Sequence, residues 1–318
     1  MIHHHRIDYF GKIPSRGDFI KAADDLPLMG VLDQWLAQSM HLLAANAHWK
    51  QMYDAMAPLE FAFIGPRRKH AIAGRILASS DQSGRRYPFL MMHTIDVADP
   101  ATFLARSVLP LEALWRRMDQ LARAVLEAPD PAPPLHAIPE TPVVLVMARH
   151  EAFAAFLEQN SMASLSAMLD GARSKRLMLA LGILLKPVMK SGTSRLDNSL
   201  LLPLPQERSQ RYLVATFWLD LIAPFLVKAD FELAVFLAEL DHLPTLVLGF
   251  CGASAHTLHA IMDPQAGRKQ QIRLDDSAWV DAQIASDTDI RRLANYLDQE
   301  QLPLQAARDL FRQIFLGL

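Results

Sequence analysis

The sequence predicts a mixed α/β fold of the α+β kind: an N-terminal antiparallel sheet with flanking helices, then a second α/β domain. Three observations predict it. Apolar strand-length runs at 59–64, 71–78 and 87–95 follow one another with only short polar turns between them, the pattern of an antiparallel meander. Six prolines, Pro129, Pro131, Pro133, Pro134, Pro139 and Pro142, crowd one window and interrupt regular structure there. Beyond them a strand-then-helix pattern occurs twice, at 143–147 with a helix from about Glu151, and at 246–250 with a helix over 253–262.

In chain order, residues 9–13 form a short strand ended by Pro14. After Pro27, Leu28, Leu32, Trp35, Leu36, Met40 and Leu43 recur at helical spacing, and Trp49, Met52, Tyr53 and Met56 share one face of a second, shorter helix. The three strands follow, separated by Gly65-Pro66 and by the polar turn 79–84. Residues 103–126 are helical, with a break expected before Pro110. The expected division is 1–128, an extended proline-rich linker over 129–142, and 143–318. Within the last part, 164–185 is helical in composition, 200–204 is a strand candidate, 210–227 is a helix disturbed by Pro224, and 289–318 is helical except near Pro303.

Composition narrows the function classes. The 318 residues are 51% hydrophobic and 21% charged, with 32 Lys+Arg against 34 Asp+Glu and a net charge of −2. Such a chain buries roughly three quarters of its unfolded surface. Near-neutral charge gives no general reason to bind nucleic acid or an anionic membrane. One cysteine, Cys251, supplies neither an internal disulfide nor a thiolate cluster. The opening MIHHHRIDYF lacks the apolar run of a signal peptide, and no segment offers the roughly 20 apolar residues that span a bilayer. The expectation is a cytoplasmic protein without membrane insertion. The run His3 to His5 forms no site by itself.

Catalytic signatures are mostly missing from the sequence. Gly249-Phe250-Cys251-Gly252 is a glycine turn between a strand and a helix, a place where backbone N–H groups can cradle phosphate. It lacks both GxGxxG and a Gly-Lys-Ser/Thr sequence, so a plain tight turn with Ser254 as helix cap is the simpler reading. Cys251, His256 and His259 give C-x4-H-x2-H without a fourth zinc ligand. Asp24-Asp25 and Asp275-Asp276 sit in turn-like contexts, and Arg67-Arg68-Lys69 reads as a solvated hairpin tip. No cofactor, no metal and no catalytic residue is assigned. A hydrolase or phosphatase built on the glycine turn stays as an alternative that purely apolar surroundings would remove.

Two segments stand out. Phe10-Gly11-Lys12-Ile13-Pro14-Ser15-Arg16-Gly17-Asp18-Phe19 packs two glycines, a proline, three charges and two aromatics into ten residues. It is either a rigid strand-to-helix connection or a shaped surface loop that a partner recognises. The second is Ser79-Ser80-Asp81-Gln82-Ser83-Gly84-Arg85-Arg86-Tyr87-Pro88. If the two lie side by side, Arg16, Asp18, Asp81 and Arg85 form a compact polar cluster.

Both segments, in this order and with Trp35 between them, resemble the type VI secretion-associated TagF (ImpM) family, whose opening is written Phe-Gly-Lys-Leu/Ile-Pro-Ser/Ala-Arg-Gly-Asp-Phe. The resemblance covers the first 100 residues or so and softens afterwards. It departs at Phe61-Ala62-Phe63-Ile64 and His70-Ala71-Ile72-Ala73, where the family pattern leads us to expect a Trp-rich strand. It implies a longin-like N-terminal domain and a non-enzymatic, post-translational repressor of secretion-system assembly. The implied partner is a forkhead-associated scaffold protein; a structural accessory subunit is the other alternative. The residues expected to bind the partner or shape the loop are Gly11, Lys12, Pro14, Arg16, Gly17, Asp18, Phe19, Trp35, Asp81, Gly84 and Arg85.

Overall fold

The computed structural model describes residues 6–143, 145, 150–171, 174–191, 196–229, 231–274 and 278–317. β1 (Asp8–Gly11) and β2 (Ile20–Ala22) lead into α1 (Leu26–Ala44) and α2 (Trp49–Asp54). β3 (Leu59–Ile64), β4 (His70–Leu77) and β5 (Phe89–Asp96) follow, then α3 (Pro100–Arg106), α4 (Val108–Glu127) and α5 (Ala132–Glu140). Next come α6 (His150–Gln159), α7 (Met162–Met168), α8 (Ser174–Leu185), α9 (Val188–Ser191), β6 (Ser199–Pro203) and α10 (Arg208–Ala229). β7 (Leu233–Leu240), β8 (Leu243–Gly249), α11 (Ala255–Met262), α12 (Pro264–Gln270) and β9 (Gln271–Arg273) precede α13 (Trp279–Ser286), α14 (Thr288–Leu297) and α15 (Leu304–Leu316).

The described strands join in one nine-stranded sheet of order β2-β1-β5-β4-β3-β7-β8-β6-β9. Every pairing is antiparallel except β6 with β9. The expected meander is β3-β4-β5. β1 joins it beside β5 in the register Gly11↔Phe89, which carries the glycine–proline loop to the end of the strand that follows the polar turn. The sheet does not stop at the proline-rich segment: β3 pairs with β7 from Glu60↔Leu237 to Ile64↔Leu233.

The period-2 alternation of the strands divides the core in two. Leu90 and Met92 of β5, Phe61 of β3 and Phe236 of β7 pack with Leu32, Trp35 and Leu36 of α1 and Leu258 of α11. Phe89 and Met91, Ala62 and Val235 face the other way, onto Trp115 of α4 and Trp218 of α10, with α8 and α15 packed outside them.

Several expectations change. The extended linker over 129–142 is instead α5, with Pro131 as its N-cap residue and Pro133 and Pro134 in its first turn. The first turn of a helix leaves its N–H groups unpaired, so prolines there cost little. Pro139 lies one residue from the helix end, and Ile138 anchors the helix in the core. Pro224 does not end α10 either: Leu221, Ile222, Phe225 and Leu226 around it are fully buried, and packing outweighs local propensity. The 103–126 helix does divide, at Ser107, into α3 and α4. The strand expected over 143–147, the Asp275-Asp276 pair and His3 to His5 fall largely or wholly outside the described residues.

Candidate functional site

The site grows from one carboxylate. The turn after β4 doubles back so that Asp81 N–H donates to the Arg85 carbonyl at 3.1 Å and Gly84 N–H donates to the Asp81 carbonyl at 2.8 Å. Gly84 takes φ +77°, where a side chain would be strained. This geometry turns the Asp81 side chain inward. Oδ1 accepts from Ser83 N–H (3.0 Å), Ser83 Oγ (2.7 Å) and Arg85 N–H (3.0 Å). Oδ2 accepts from Lys12 Nζ at 2.9 Å and Arg85 Nε at 2.7 Å. Asp81 and Lys12 are both buried. Burial pulls the Asp81 pKa up, but the hydrogen bonds from Lys12, Ser83 and Arg85 outweigh it and hold the carboxyl well below the usual carboxylate range.

The glycine–proline loop is bound to this turn along its length. Gln82 N–H donates to the Arg16 carbonyl at 2.9 Å, Arg85 Nη2 to the Gly17 carbonyl at 2.7 Å and Ser79 Oγ to the Lys12 carbonyl at 2.7 Å. Gly11 has φ +137°, and a Cβ there would lie 2.1 Å from the Pro88 carbonyl oxygen. Only glycine lets the loop lie this close to the strand beside it. Phe19 stacks on Phe10 with ring centroids 5.4 Å apart and meets Tyr87 edge-on at 4.9 Å, with Lys12 Nζ 5.0 Å from its ring centre. Two further bonds tie the turn to the helices: Tyr87 Oη donates to Asp33 Oδ1 on α1 at 2.7 Å, and Arg86 grips Asp54 of α2 with two 2.7 Å bonds.

The two segments therefore lie side by side, but the cluster has different members from those expected. Lys12, Asp81 and Arg85 are its core. Arg16 joins through its carbonyl, and Asp18 accepts from the adjacent Phe19 N–H at 2.8 Å. The Arg16 side chain makes no hydrogen bond among the described residues. Pro14, Arg16, Gly17, Asp18 and Phe19 are exposed, and Phe19 keeps 44% of its surface open. Sequence reading missed Ser79, Ser83, Phe10 and Tyr87; the signal for Ser83 was its place two residues after an aspartate, where an Asx turn closes.

Trp35 is elsewhere. It is buried among Phe61, Phe63 and Phe236, and its Nε1 donates to the Ser254 carbonyl at 3.2 Å. That bond crosses from α1 to the start of α11, so Trp35 secures the β3–β7 seam and not the loop.

The glycine turn after β8 borders a cleft of about 1000 Å³ lined by Gln38, His41, Arg68, Glu232, Cys251 and His256, among others. Its surroundings are not purely apolar. Cys251 Sγ donates to the Leu196 carbonyl at 3.1 Å, and among the described residues no hydrogen bond joins Cys251, His41 and His256. His259 is turned toward Asp263, 3.7 Å away. Among the described residues no three His, Cys, Asp or Glu side chains are placed to hold a metal ion, and no helix is long and apolar enough to cross a membrane.

Residues 8–140, from β1 to the end of α5, match the family model for the TagF N-terminal domain, type VI secretion system-associated. The chain carries a TagF N-terminal domain. The loop, the turn and the Lys12–Asp81–Arg85 cluster all lie within the matched residues. The crystal structure of PA0076 from Pseudomonas aeruginosa PAO1 is similar to 43% of this chain at 21% sequence identity and a TM-score of 0.36. The similarity spans 63% of that protein, short of two thirds of its length. No curated protein matches the chain.

Proposed function

We propose that the protein is a non-catalytic, post-translational repressor of type VI secretion assembly that works in the cytoplasm by binding another protein. The surface assigned to that contact is the edge Pro14, Arg16, Gly17, Asp18 and Phe19. One observation carries the assignment. This edge is exposed, and it is held from beneath by a buried Lys12–Asp81 pair. A loop fixed before binding loses little conformational entropy when it docks, and an aromatic beside an arginine is the usual composition of an energetic anchor. The family resemblance supplies the partner, a forkhead-associated scaffold protein of the secretion machinery. A longin-like N-terminal unit is part of the same reading, and the strand order β2-β1-β5-β4-β3 is compatible with it.

The experiment compares Phe19→Ala and Arg16→Glu with the unmodified protein, measuring binding to the scaffold by calorimetry and melting temperature in parallel. We expect binding at least tenfold weaker, about 1.4 kcal/mol, at a melting temperature shifted by no more than a few degrees. Unchanged binding overturns the docking surface. A fall in melting temperature that parallels the loss of binding makes the loop structural instead.

A further inference from the structure

A second cationic cluster lies outside the TagF loop. Asp220, near the middle of α10, has a side chain only 1% exposed. Arg106, the last residue of α3, places Nη2 2.9 Å from Asp220 Oδ1. Arg312 of α15 places Nη2 2.8 Å from Oδ2 and donates to the Asp220 carbonyl at 3.2 Å. Arg308 lies one turn earlier on α15, where its Nε and Nη2 bond Asp309 Oδ1. The ring of Phe153 on α6 lies beneath the Arg106 guanidinium, 4.1 Å away, and holds its plane.

Among the described ion pairs the charges do not cancel: Arg106, Arg308 and Arg312 bring three positive charges against the two negative ones of Asp220 and Asp309, and Asp309 is more than half exposed. Burial, with Arg308 and Arg312 nearby, holds the Arg106 pKa down against the pull of Asp220. Arg308 and Arg312 repel each other at i,i+4, an arrangement that destabilises an isolated helix. Two buried donors, Arg106 Nη1 and Arg312 Nε, have no acceptor among the described residues. An unmet buried donor destabilises the fold. Even so the three side chains keep 22%, 16% and 27% of their surface open for Arg106, Arg308 and Arg312 in turn, so a small solute can reach the cluster.

We infer that Arg106, Arg308 and Arg312 form a binding site for one small oxyanion, a carboxylate or a phosphate, seated on the open edges of the three guanidinium groups. Arginine suits this task because its planar fork pairs both oxygens of such a group at once. The oxyanion supplies the missing negative charge and relieves the repulsion along α15. The assignment does not depend on the docking loop.

The test uses the full-length protein. Its melting temperature is followed in sodium acetate and in sodium phosphate against sodium chloride at matched ionic strength. The same series is run on Arg308→Gln and on the exposed control Arg292→Gln. Phosphate also stabilises proteins non-specifically, so the difference between variants is what counts. We expect a saturable rise, unchanged in Arg292→Gln and displaced at least tenfold to higher anion concentration in Arg308→Gln. The anion that saturates at lower concentration identifies the ligand class. If Arg308→Gln does not fold, the Nε–H resonance of Arg312 in the unmodified protein decides, since it must shift saturably with the anion. A response equal in all three proteins, or an unmoved Arg312 signal, means an adventitious ion only and overturns the site.

Discussion

Asp81 and Asp220 are both buried carboxylates clamped by two cationic side chains, yet they are completed in different ways. Asp81 draws on its own turn: Ser83 and Arg85 backbone N–H groups and the Ser83 hydroxyl fill Oδ1, leaving Oδ2 for Lys12 and Arg85. All these donors come from the first half of the chain. Asp220 has no such turn around it, and its cations come from α3 and α15, one from each half. A local turn satisfies a buried charge fully and makes a rigid element. Helices converging from distant sequence satisfy it with side chains alone, and they leave arginine donors over.

The largest test of this contrast removes each carboxylate. Taking one partner from a buried ion pair typically costs about 3–5 kcal/mol. Asp220→Ala is expected at the lower end of that range, because Arg106 and Arg312 both reach solvent and can turn outward. Asp81→Ala is expected to cost more, because Lys12, only 9% exposed, stays buried without its counter-charge while Ser83 and Arg85 lose their acceptor. Urea unfolding of the two variants measures both. If Asp220→Ala is the more damaging, the distinction between a closed turn and an open cluster fails.

The contrast also explains what was legible in the sequence. Local features were. β3, β4 and β5 announce themselves through short apolar runs with polar turns, and α1 through its helical spacing. The loop and turn around Asp81 combine glycine, proline and charge within ten residues each. Features created by distant pairing were not. β7, Leu-Ala-Val-Phe-Leu-Ala-Glu-Leu, has six successive buried residues, an apolar run that periodicity alone does not tell from a buried helix. The β3–β7 seam that joins the two halves was therefore invisible, and so was the role of Trp35 across it. Arg106, Asp220 and Arg312 lie on three helices, and nothing in their sequence spacing connects them. The helix α5 was hidden for the opposite reason, since a local rule about proline was applied where helix position overrides it.

Acid should separate the two sites next. The Asp81 pKa in the folded chain lies below its unfolded value of about 3.9. The stability it contributes is therefore fully present above that unfolded value and is lost as pH falls through the folded one. Unfolding free energy measured from pH 6 down to pH 3 should fall in the unmodified protein. In Asp81→Ala the fall should be shallower, because one group that binds a proton preferentially in the unfolded state is gone. Equal slopes in the two proteins would mean that Asp81 is not held ionised by its neighbours.

The smallest effect belongs to Arg85, and it sharpens the comparison most. Arg85 bonds Asp81 and the Gly17 carbonyl, but its side chain is 64% exposed. An ion pair so open to water is worth only about 0–1 kcal/mol. In Arg85→Gln the backbone N–H of residue 85 still reaches Oδ1, and Lys12 still neutralises Oδ2, so melting temperature should fall by no more than a few degrees. The Gly17 carbonyl, however, loses the donor that holds the exposed edge of the loop against the turn. Amide hydrogen exchange over residues 14–19 should therefore quicken while exchange in β1 and β5 stays as it was. If the whole of β1 exchanges faster together with the loop, Arg85 is part of the fold's foundation. If only the edge does, it is a clasp on a surface that the Lys12–Asp81 pair and the Gln82 and Ser79 hydrogen bonds keep in place.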